Sequence, residues 1–366
     1  MTEKVSLLQI FKTWINRYFS DPQAVLLLVL LIVGFGLVIW LGGILAPVLA
    51  SIVIAYLLEW VVIHLQRLKM PRLSAVIITY LGFLGLFFAA FFLLLPLLWN
   101  QVIALFNDLP NMTLRIQKIL IELLGQYPDF FSQSQLQTFT GDLLTESRNL
   151  AKVMLSLSWS SITGLITWLV YLVLVPLLVF FFLKDRKKMI QWVVGFLPPQ
   201  RGVLSQVATE VNEQIGNYIR GKVVEIIFVG VVTYLVCWYF SLQYAALLSF
   251  LVGISVLIPY VGAIVITIPV VVVAAIQWGF TAQFSYFIIA YLVVQGLDAN
   301  ILVPLLFSEA VNLHPVAIIV ATLFFGGIWG FWGVFFAIPL ATLVKAVLNA
   351  WPKPHAKKEI HPHAHQ

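Results

Sequence analysis

An apolar run from Ala245 to Gln277, without one charged residue, sets the strongest limit on how this chain folds. Apolar stretches of about 20 residues recur along the sequence, each long enough to cross a hydrocarbon core of roughly 30 Å as a helix. Only 10% of the 366 residues are charged, whereas soluble domains are usually about 25% charged. The sequence therefore predicts an all-α polytopic membrane protein, with the lipid bilayer as its partner.

Six stretches have the length and apolarity of full transmembrane helices. They are residues 23–41, 44–63, 75–98, 160–183, 223–241 and 282–306. A short amphipathic helix at 7–18 is expected to lie at the membrane interface. Residues 1–99 thus form an N-terminal part with three spans.

The basic residues predict the orientation of the spans. All but four of the 21 Lys and Arg residues lie in residues 1–21, 64–73, 184–222 and 345–358. Such basic segments usually stay in the cytoplasm, so both termini are expected there. The amphipathic residues 100–158 then form an external, periplasmic helical segment. The histidine-rich tail, 351–366, is expected in the cytoplasm. It either binds metal, as histidine-rich tracts can, or is a flexible polar tail with weak affinity, because nothing preorganises its ligands.

Two apolar segments are interrupted in a way that predicts helical hairpins. Residues 245–258 and 263–277 are each about 15 residues long, too short for a comfortable crossing helix. Pro259, Tyr260 and Gly262 lie at the break between them. We expect a re-entrant or short broken hairpin that enters from outside.

A second interruption lies in residues 314–345, and its hairpin is expected to enter from inside. Its break contains four glycines, Gly326, Gly327, Gly330 and Gly333. "GAIVITIP" (262–269) and "GVFFAIP" (333–339) both run from a glycine after the break to Ile-Pro. This shared phrase is consistent with a repeat inside a transport core of residues 159–350.

Paired broken helices that enter from opposite faces are typical of transporters. A helix that stops within lipid leaves backbone groups without partners, so such a break persists only beside protein or a water-filled cavity. The freed groups can bind a polar solute or a cation. The alternative is that these Pro and Gly residues are tolerated kinks or close-packing points. His314, at the inner mouth of the second hairpin, is either a gating residue that titrates near neutrality or an ordinary loop histidine.

Asp298 most needs an explanation, because it lies within the 282–306 span. An unpartnered carboxylate there costs at least about 2.5 kcal/mol. Gln295 lies one turn back on the same face, and Pro304 deprives the Asn300 carbonyl of its usual helical partner. Together these groups suit a hard cation or a proton relay.

The charged residues can also have purely structural roles. Asp298 either pairs with Lys222 or Arg220 as a structural lock or lies nearer the interface. Glu225 follows Lys222 closely and is expected to pair with a neighbouring base. Glu59 lies near the cytoplasmic end of its span and is expected to be an interfacial anchor.

No other motif predicts enzymatic chemistry, a cofactor or a nucleic-acid partner. The chain has no H-E-x-x-H, G-x-S-x-G or Walker sequence. Its single cysteine, Cys237, excludes an intrachain disulfide and a cysteine-based metal site. Although the formal net charge is +6, the basic residues follow membrane topology.

Four motifs in the C-terminal half carry a family resemblance. They are "YIRGK" (218–222), "LIPYVGA" (257–263), "LDANILVPLLFSEAVNLHP" (297–315) and "GGIWGFWGVFFAIPLATLVKA" (326–346). The chain resembles the autoinducer-2 exporter family of bacterial multi-pass permeases along nearly its whole length. The resemblance implies a homo-oligomeric inner-membrane protein without an ATPase domain. Members are associated with export of a signalling furanone or with sodium/proton exchange, and no agreed binding residues come with the family.

The sequence is consistent with three functions. The first is a secondary transporter or exporter of a small polar solute, with the two breaks and Asp298 in its pathway. The second is a cation/proton antiporter that uses Asp298. The third is a non-transporting membrane scaffold that docks envelope partners through residues 100–158.

Overall fold

The computed structural model describes residues 22–124, 162–197, 202–307 and 313–350, with single positions at 141, 145 and 149. Within these residues every regular element is a helix. In chain order the helices are α1 (Pro22–Arg67), α2 (Arg72–Ala89), α3 (Leu95–Leu124), α4 (Ile162–Lys184), α5 (Arg186–Gly195), α6 (Gly202–Tyr239), α7 (Ala245–Ser255), α8 (Val261–Trp278), α9 (Ala282–Leu297), α10 (Val303–Phe307) and α11 (Pro315–Ala350). The N-terminal interfacial helix and the histidine-rich tail of the sequence prediction lie outside these ranges.

The apolar helices confirm the predicted all-α polytopic membrane fold. Within the described residues six are long and apolar enough to cross a membrane: Ile44–Arg67, Arg72–Lys118, Leu204–Tyr239, Val261–Trp278, Ala282–Phe307 and Pro315–Asn349. Three shorter apolar helices accompany them, at Val25–Leu37, Leu169–Lys184 and Ala245–Ser255. Large apolar side chains such as Trp40, Leu86 and Leu305 are exposed on these helices, as expected for surfaces that face lipid.

Helix α1 is longer than the sequence predicts. The sequence predicts separate spans at 23–41 and 44–63, whereas α1 is one helix of 46 residues. Gly42 and Gly43 do not end it, because a helix-interior glycine costs only about 1 kcal/mol. No polar turn residue or proline follows them directly, so nothing favours a reversal of the chain. The separation of the two predicted spans at this point is therefore not present in the structure.

The third predicted span continues directly into the external segment. Helix α2, a π-helical turn at Ala90–Leu94 and helix α3 follow one another without a gap. The helix widens just before Pro96, which lacks the N–H that the Phe92 carbonyl would otherwise bond. Residues 100–124 therefore prolong the helix of the 75–98 span instead of starting a separate element. Apart from three single positions, residues 125–158 lie outside the described part.

The chain divides into two compact units, each with its own core. The first unit falls within residues 1–46, 187–215 and 315–366. Its core packs Leu27, Val207, Ala346 and Val347. The second unit comprises residues 47–186 and 216–314. Its larger core includes the fully buried Val229, Cys237, Val252, Val270, Ala274, Phe287 and Tyr291.

A buried carboxylate ties three helices of the second unit together. Glu59, at 7% exposure, accepts hydrogen bonds from Arg72 at the start of α2, at 3.1 and 3.2 Å. It also accepts one from Arg186, after α4, at 3.0 Å. Arg72 further donates to the Leu183 carbonyl at 3.0 Å. Glu59 is therefore a buried, doubly paired junction between the ends of these helices, and its expected place at the membrane interface stays a prediction.

Removing the charge of Glu59 should destabilise the protein. Glu59→Gln leaves two guanidinium groups facing each other without a carboxylate. We expect a loss of about 2–3 kcal/mol, less than for a fully buried pair because the Arg186 side chain is 36% exposed. The loss is measured by thermal unfolding of the purified protein in detergent. The exposed Glu213→Gln is the matched control, and an equal effect of both variants would contradict this role.

Candidate functional site

The first predicted break is a turn between two helices. Helix α7 ends at Ser255 and α8 begins at Val261, with Tyr260 held at a positive φ of 62°. Helix α7 has only 11 residues, about half the length that crosses a bilayer. A Cβ atom added to Gly262 would collide with the Ser255 carbonyl oxygen. Gly262 is therefore required because the two helices meet at the turn with no room for a side chain.

The second predicted break has the same construction. Helix α11 is interrupted at Gly330, whose φ of 59° and ψ of −135° are not helical. A Cβ atom added to Gly333 would collide with the Phe325 carbonyl oxygen, just as at Gly262. Gly262 and Gly333 begin the two copies of the shared phrase. The repeat seen in the sequence thus corresponds to one repeated contact, in which a glycine after the break touches a carbonyl before it.

The structure changes one detail of the first hairpin. The sequence predicts two halves of similar length, at 245–258 and 263–277. Instead α7 has 11 residues and α8 has 18, so one half is short and the other can span a bilayer core. The difference arises because Val256, Leu257 and Ile258 belong to the turn and not to the helix.

The turn of the first hairpin lies against a buried ion pair on α6. The Lys222 ammonium donates to the Glu225 carboxylate at 2.7 Å and to the Val256 carbonyl at 2.8 Å. Lys222 is 4% exposed and Glu225 is 2% exposed. The Val256 carbonyl is available because α7 ends there, so the break supplies a backbone acceptor to a charged side chain, as expected for a break inside a membrane protein.

Asp298 completes this buried group, which we call the charged cluster: Lys222, Glu225 and Asp298, with Gln295 three residues before Asp298. Asp298 is 9% exposed and interacts electrostatically with Lys222 and with Glu225. Its Oδ1 atom has no hydrogen-bond partner, and neither has Nε2 of Gln295. Asp298 and Gln295 therefore present one unused acceptor and one unused donor, from the π-helical turn and from the end of α9 before it.

The Asp298 environment is created by a local widening of the helix. A π-helical turn covers Asp298–Leu302, in which the Val303 N–H bonds the Asp298 carbonyl. Pro304 follows directly and cannot bond the Asn300 carbonyl. This is the arrangement found before Pro96, and π-helical turns are frequent at functional sites.

The structural-lock alternative for Asp298 is reduced to an electrostatic interaction with Lys222, without a direct ion pair. Lys222 pairs with Glu225 instead, which confirms the pairing expected for Glu225. Arg220 donates to the Asn217 side chain at 2.7 Å. Asp298 therefore keeps one carboxylate oxygen, Oδ1, without a hydrogen-bond partner.

Three of the other predicted site residues, Asn300, Tyr260 and His314, have exposed side chains. The Asn300 side chain is exposed and donates to the Gly296 carbonyl of its own helix, at 2.8 Å. Tyr260 is 56% exposed, and Pro259 lies beside it in the turn. His314 is exposed directly before α11. The remaining residues, Gly326, Gly327, Gly330 and Gly333, belong to the other compact unit.

Lys222 and Glu225 were not predicted as site residues; the sequence indicated them only as ion-pair partners of Asp298 and of a neighbouring base. Their spacing of three residues within an apolar helix is the signal that could have marked them as a buried pair. The Val256 carbonyl has no such signal, because a backbone acceptor is set free only by the position where α7 ends. Among the described residues no group of three or more His, Cys, Asp or Glu side chains is placed to hold a metal ion.

At the opposite end of α7, the prolonged helix α3 holds the start of the hairpin. Tyr244 donates to Asp108 at 2.7 Å, and the Leu247 N–H donates to the Gln101 side chain at 2.8 Å. Burial, with the hydrogen bond and charge of Asp108, raises the pKa of Tyr244 to about 12. Helix α3 is thereby connected to the hairpin whose turn contacts Lys222.

This contact should depend on pH above the ordinary tyrosine range. A raised pKa means that folding favours the neutral phenol, so its stabilisation is complete below about pH 10 and is lost as the pH rises towards 12. Tyr244→Phe should cost about 1 kcal/mol at neutral pH and remove this alkaline loss. Thermal midpoints of both proteins from neutral pH to pH 12 measure it; parallel curves would contradict the contact.

Comparison with known proteins places the chain in a family. The profile described as AI-2E family transporter matches residues 26–353. The chain belongs to this family. It is 47% identical over 346 residues to the Escherichia coli (strain K12) protein named permease PerM, which covers 94% of this chain and 98% of PerM. This confirms the family that the sequence motifs indicated.

More distant members of the AI-2E family carry similar names. A Bacillus subtilis (strain 168) protein named transport protein YueF is 28% identical over 319 residues, covering 84% of each chain. A transport protein of Thermotoga maritima is 22% identical over 310 residues. Membership of the AI-2E family, together with the apolar helices, makes this chain a multi-pass membrane transporter protein of the permease type.

Proposed function

We propose that this AI-2E family protein is a secondary transporter of the bacterial inner membrane, with the charged cluster as its coupling site. It carries a small polar solute or a cation, with the basic segments 64–73 and 184–222 in the cytoplasm and the first break lining the pathway. The observation that carries the proposal is the buried Asp298 Oδ1 atom without a hydrogen-bond partner. A buried carboxylate is retained at such a cost when it has a function in transport.

The charges of the cluster support coupling to a cation. Lys222 neutralises Glu225, so an ionised Asp298 leaves the cluster with one uncompensated negative charge. A proton or a monovalent cation at Asp298 removes that charge. The cluster is then neutral, and a neutral site costs far less to move or occlude within lipid.

The first break supports the same proposal through its backbone. Transporter sites are commonly formed where discontinuous helices expose backbone groups near the middle of the membrane. Here the Val256 carbonyl is already bonded by Lys222. A displacement of Lys222 by a bound cation would change the contact between α6 and the hairpin turn, which couples occupancy to conformation.

A cation/proton antiporter is a second candidate, favoured by the same free oxygen of Asp298. It differs from solute transport in requiring no organic substrate. Under either candidate one carboxylate exchanges its cation with water, so Asp298 has the same role.

Flux measurements on purified protein in sealed liposomes test the proposal. A pH-sensitive dye inside the vesicles reports proton movement after a sodium gradient is imposed, and radiolabelled small polar solutes are tested in parallel. We expect flux above that of protein-free vesicles for at least one of them. If folded protein in sealed vesicles moved neither protons nor any tested solute, the result would contradict transport and favour the scaffold alternative.

A further inference from the structure

An aromatic side chain covers one end of the charged cluster. Phe307 lies at the end of α10, and its ring centroid is 5.2 Å from the Lys222 ammonium. The ring also packs against the Tyr218 ring, with centroids 5.8 Å apart. Tyr218 is 2% exposed, so Phe307 rests on a fully buried surface of α6.

Gly221 leaves the space that the Phe307 ring occupies. A Cβ atom at Gly221 would lie 2.8 Å from Cε1 of Phe307 and 3.2 Å from its Cζ. Any larger residue would therefore push the ring away from α6. The absence of a side chain at Gly221 lets Phe307 approach the helix backbone directly beside Lys222.

The order of these contacts along α6 shows which end of the cluster is covered. Phe307 contacts Tyr218, Gly221 and Lys222, whereas Glu225 lies nearly one helical turn further on. One turn corresponds to about 5 Å along the axis. The ring therefore covers the amino-terminal end of the Lys222–Glu225 pair and leaves the Glu225 side to other residues.

The helix that carries Phe307 is built to move more easily than its neighbours. Helix α10 has five residues and is joined to α9 by the π-helical turn that begins at Asp298. Pro304, inside α10, removes one backbone hydrogen bond from this stretch. Widened turns and prolines are where helices bend, so a hinge lies between Asp298 and Phe307.

We propose that Phe307 is the gate that closes the charged cluster to water from the end where α10 ends. The basic segments of the sequence place that end towards the cytoplasm. When the gate is closed, the ring lies on Gly221 and covers Lys222. When it opens, α10 bends at the widened turn and the cluster meets cytoplasmic water. This gate rests on the proposed role of the cluster in transport.

The test measures access of water to the cluster and needs no transport. The reporter is Asp298→Cys in a Cys237→Ala background, since Cys237 is the only native cysteine. A charged, membrane-impermeant thiol reagent is applied to inverted membrane vesicles and, separately, to spheroplasts. Labelling of Cys at position 298 is followed with time by mass spectrometry. Phe307→Ala and Gly221→Ala are the two gate variants, and Leu305→Ala, at an exposed site on the same short helix, is the matched control.

We expect both gate variants to speed labelling from the cytoplasmic side at least about tenfold, because each shifts the population towards the open gate. Leu305→Ala should leave the rate unchanged, and labelling from the outside should be the same in all variants. Equal rates with and without the Phe307 ring would overturn the gate. So would faster labelling from both sides, which indicates general loosening, or no labelling of any folded variant.

The labelling experiment on the gate and the flux experiment on the proposed function can fail independently of each other. Flux is measured on the wild-type protein, whereas the gate is measured by labelling of a variant that lacks Asp298. Flux without a gate effect would leave the transporter proposal intact and remove Phe307 from it. A gate effect without flux would show that water reaches the cluster in a protein that does not carry the tested solutes.

Discussion

Asp298→Asn is expected to abolish coupled flux. The substitution keeps the shape of the side chain and removes its charge, so the cluster no longer needs a proton or cation to become neutral. Flux in liposomes should fall by more than about tenfold, to the level of protein-free vesicles. Asn300→Ala is the matched control, because that side chain is exposed and bonds only its own helix. Equal flux in wild type and Asp298→Asn would contradict the proposed coupling site.

The same substitution should stabilise the protein. An unpartnered carboxylate at this depth costs at least about 2.5 kcal/mol, and the amide avoids most of this cost. We therefore expect the thermal midpoint of Asp298→Asn to rise by a few degrees while activity is lost. Higher stability with lower activity is typical of a functional site. A large fall in the midpoint would instead indicate that Asp298 has a structural role.

Gly262→Ala should be the most destabilising single substitution in the first hairpin. The added methyl group would collide with the Ser255 carbonyl oxygen, and that obstacle is backbone. Backbone cannot rotate away as a side chain can, so we expect a loss of more than about 3 kcal/mol and poor recovery of folded protein. Gly296→Ala is the control, since a methyl group there meets nothing within 4 Å.

Gly333→Ala should behave in the same way in the second hairpin. The collision there is with the Phe325 carbonyl oxygen, whereas Gly327 in the same break has open space around it. Recovery of monodisperse protein by size-exclusion chromatography should fall for Gly333→Ala and stay near wild type for Gly327→Ala. If the two alanine variants were recovered equally, the repeated contact would not be a requirement of the fold.

Much of the fold could be predicted from hydropathy and from glycine and proline. Lipid-facing helices need a minimum apolar length, so the membrane class follows directly from the sequence. The two breaks could be found because only glycine fits where a helix meets the carbonyl of its partner. Gly262 and Gly333 carry that signal, and the structure shows the contact that requires each of them.

The parts that could not be predicted depend on how far each helix runs and on which partners meet. Gly42 and Gly43 look like a turn, but a helix continues through them when no competing contact favours a reversal. Lys222 has two possible acidic partners, Glu225 on its own helix and Asp298 on another element. Their positions in the sequence do not show which of them it pairs with. Its choice of Glu225 and the Val256 carbonyl follows from the point at which α7 ends.

Chemical modification of Asp298 shows whether this carboxyl group exchanges its proton or cation with water. A hydrophobic carbodiimide reacts with a protonated carboxyl group in an apolar site, and the modified peptide is identified by mass spectrometry. We expect modification of Asp298 in folded wild-type protein, while Glu59, held by two arginines, stays unmodified. Addition of the cation that drives flux should slow the reaction at Asp298. No modification of Asp298 anywhere from acid to neutral pH would contradict a carboxyl group that exchanges its proton or cation with water.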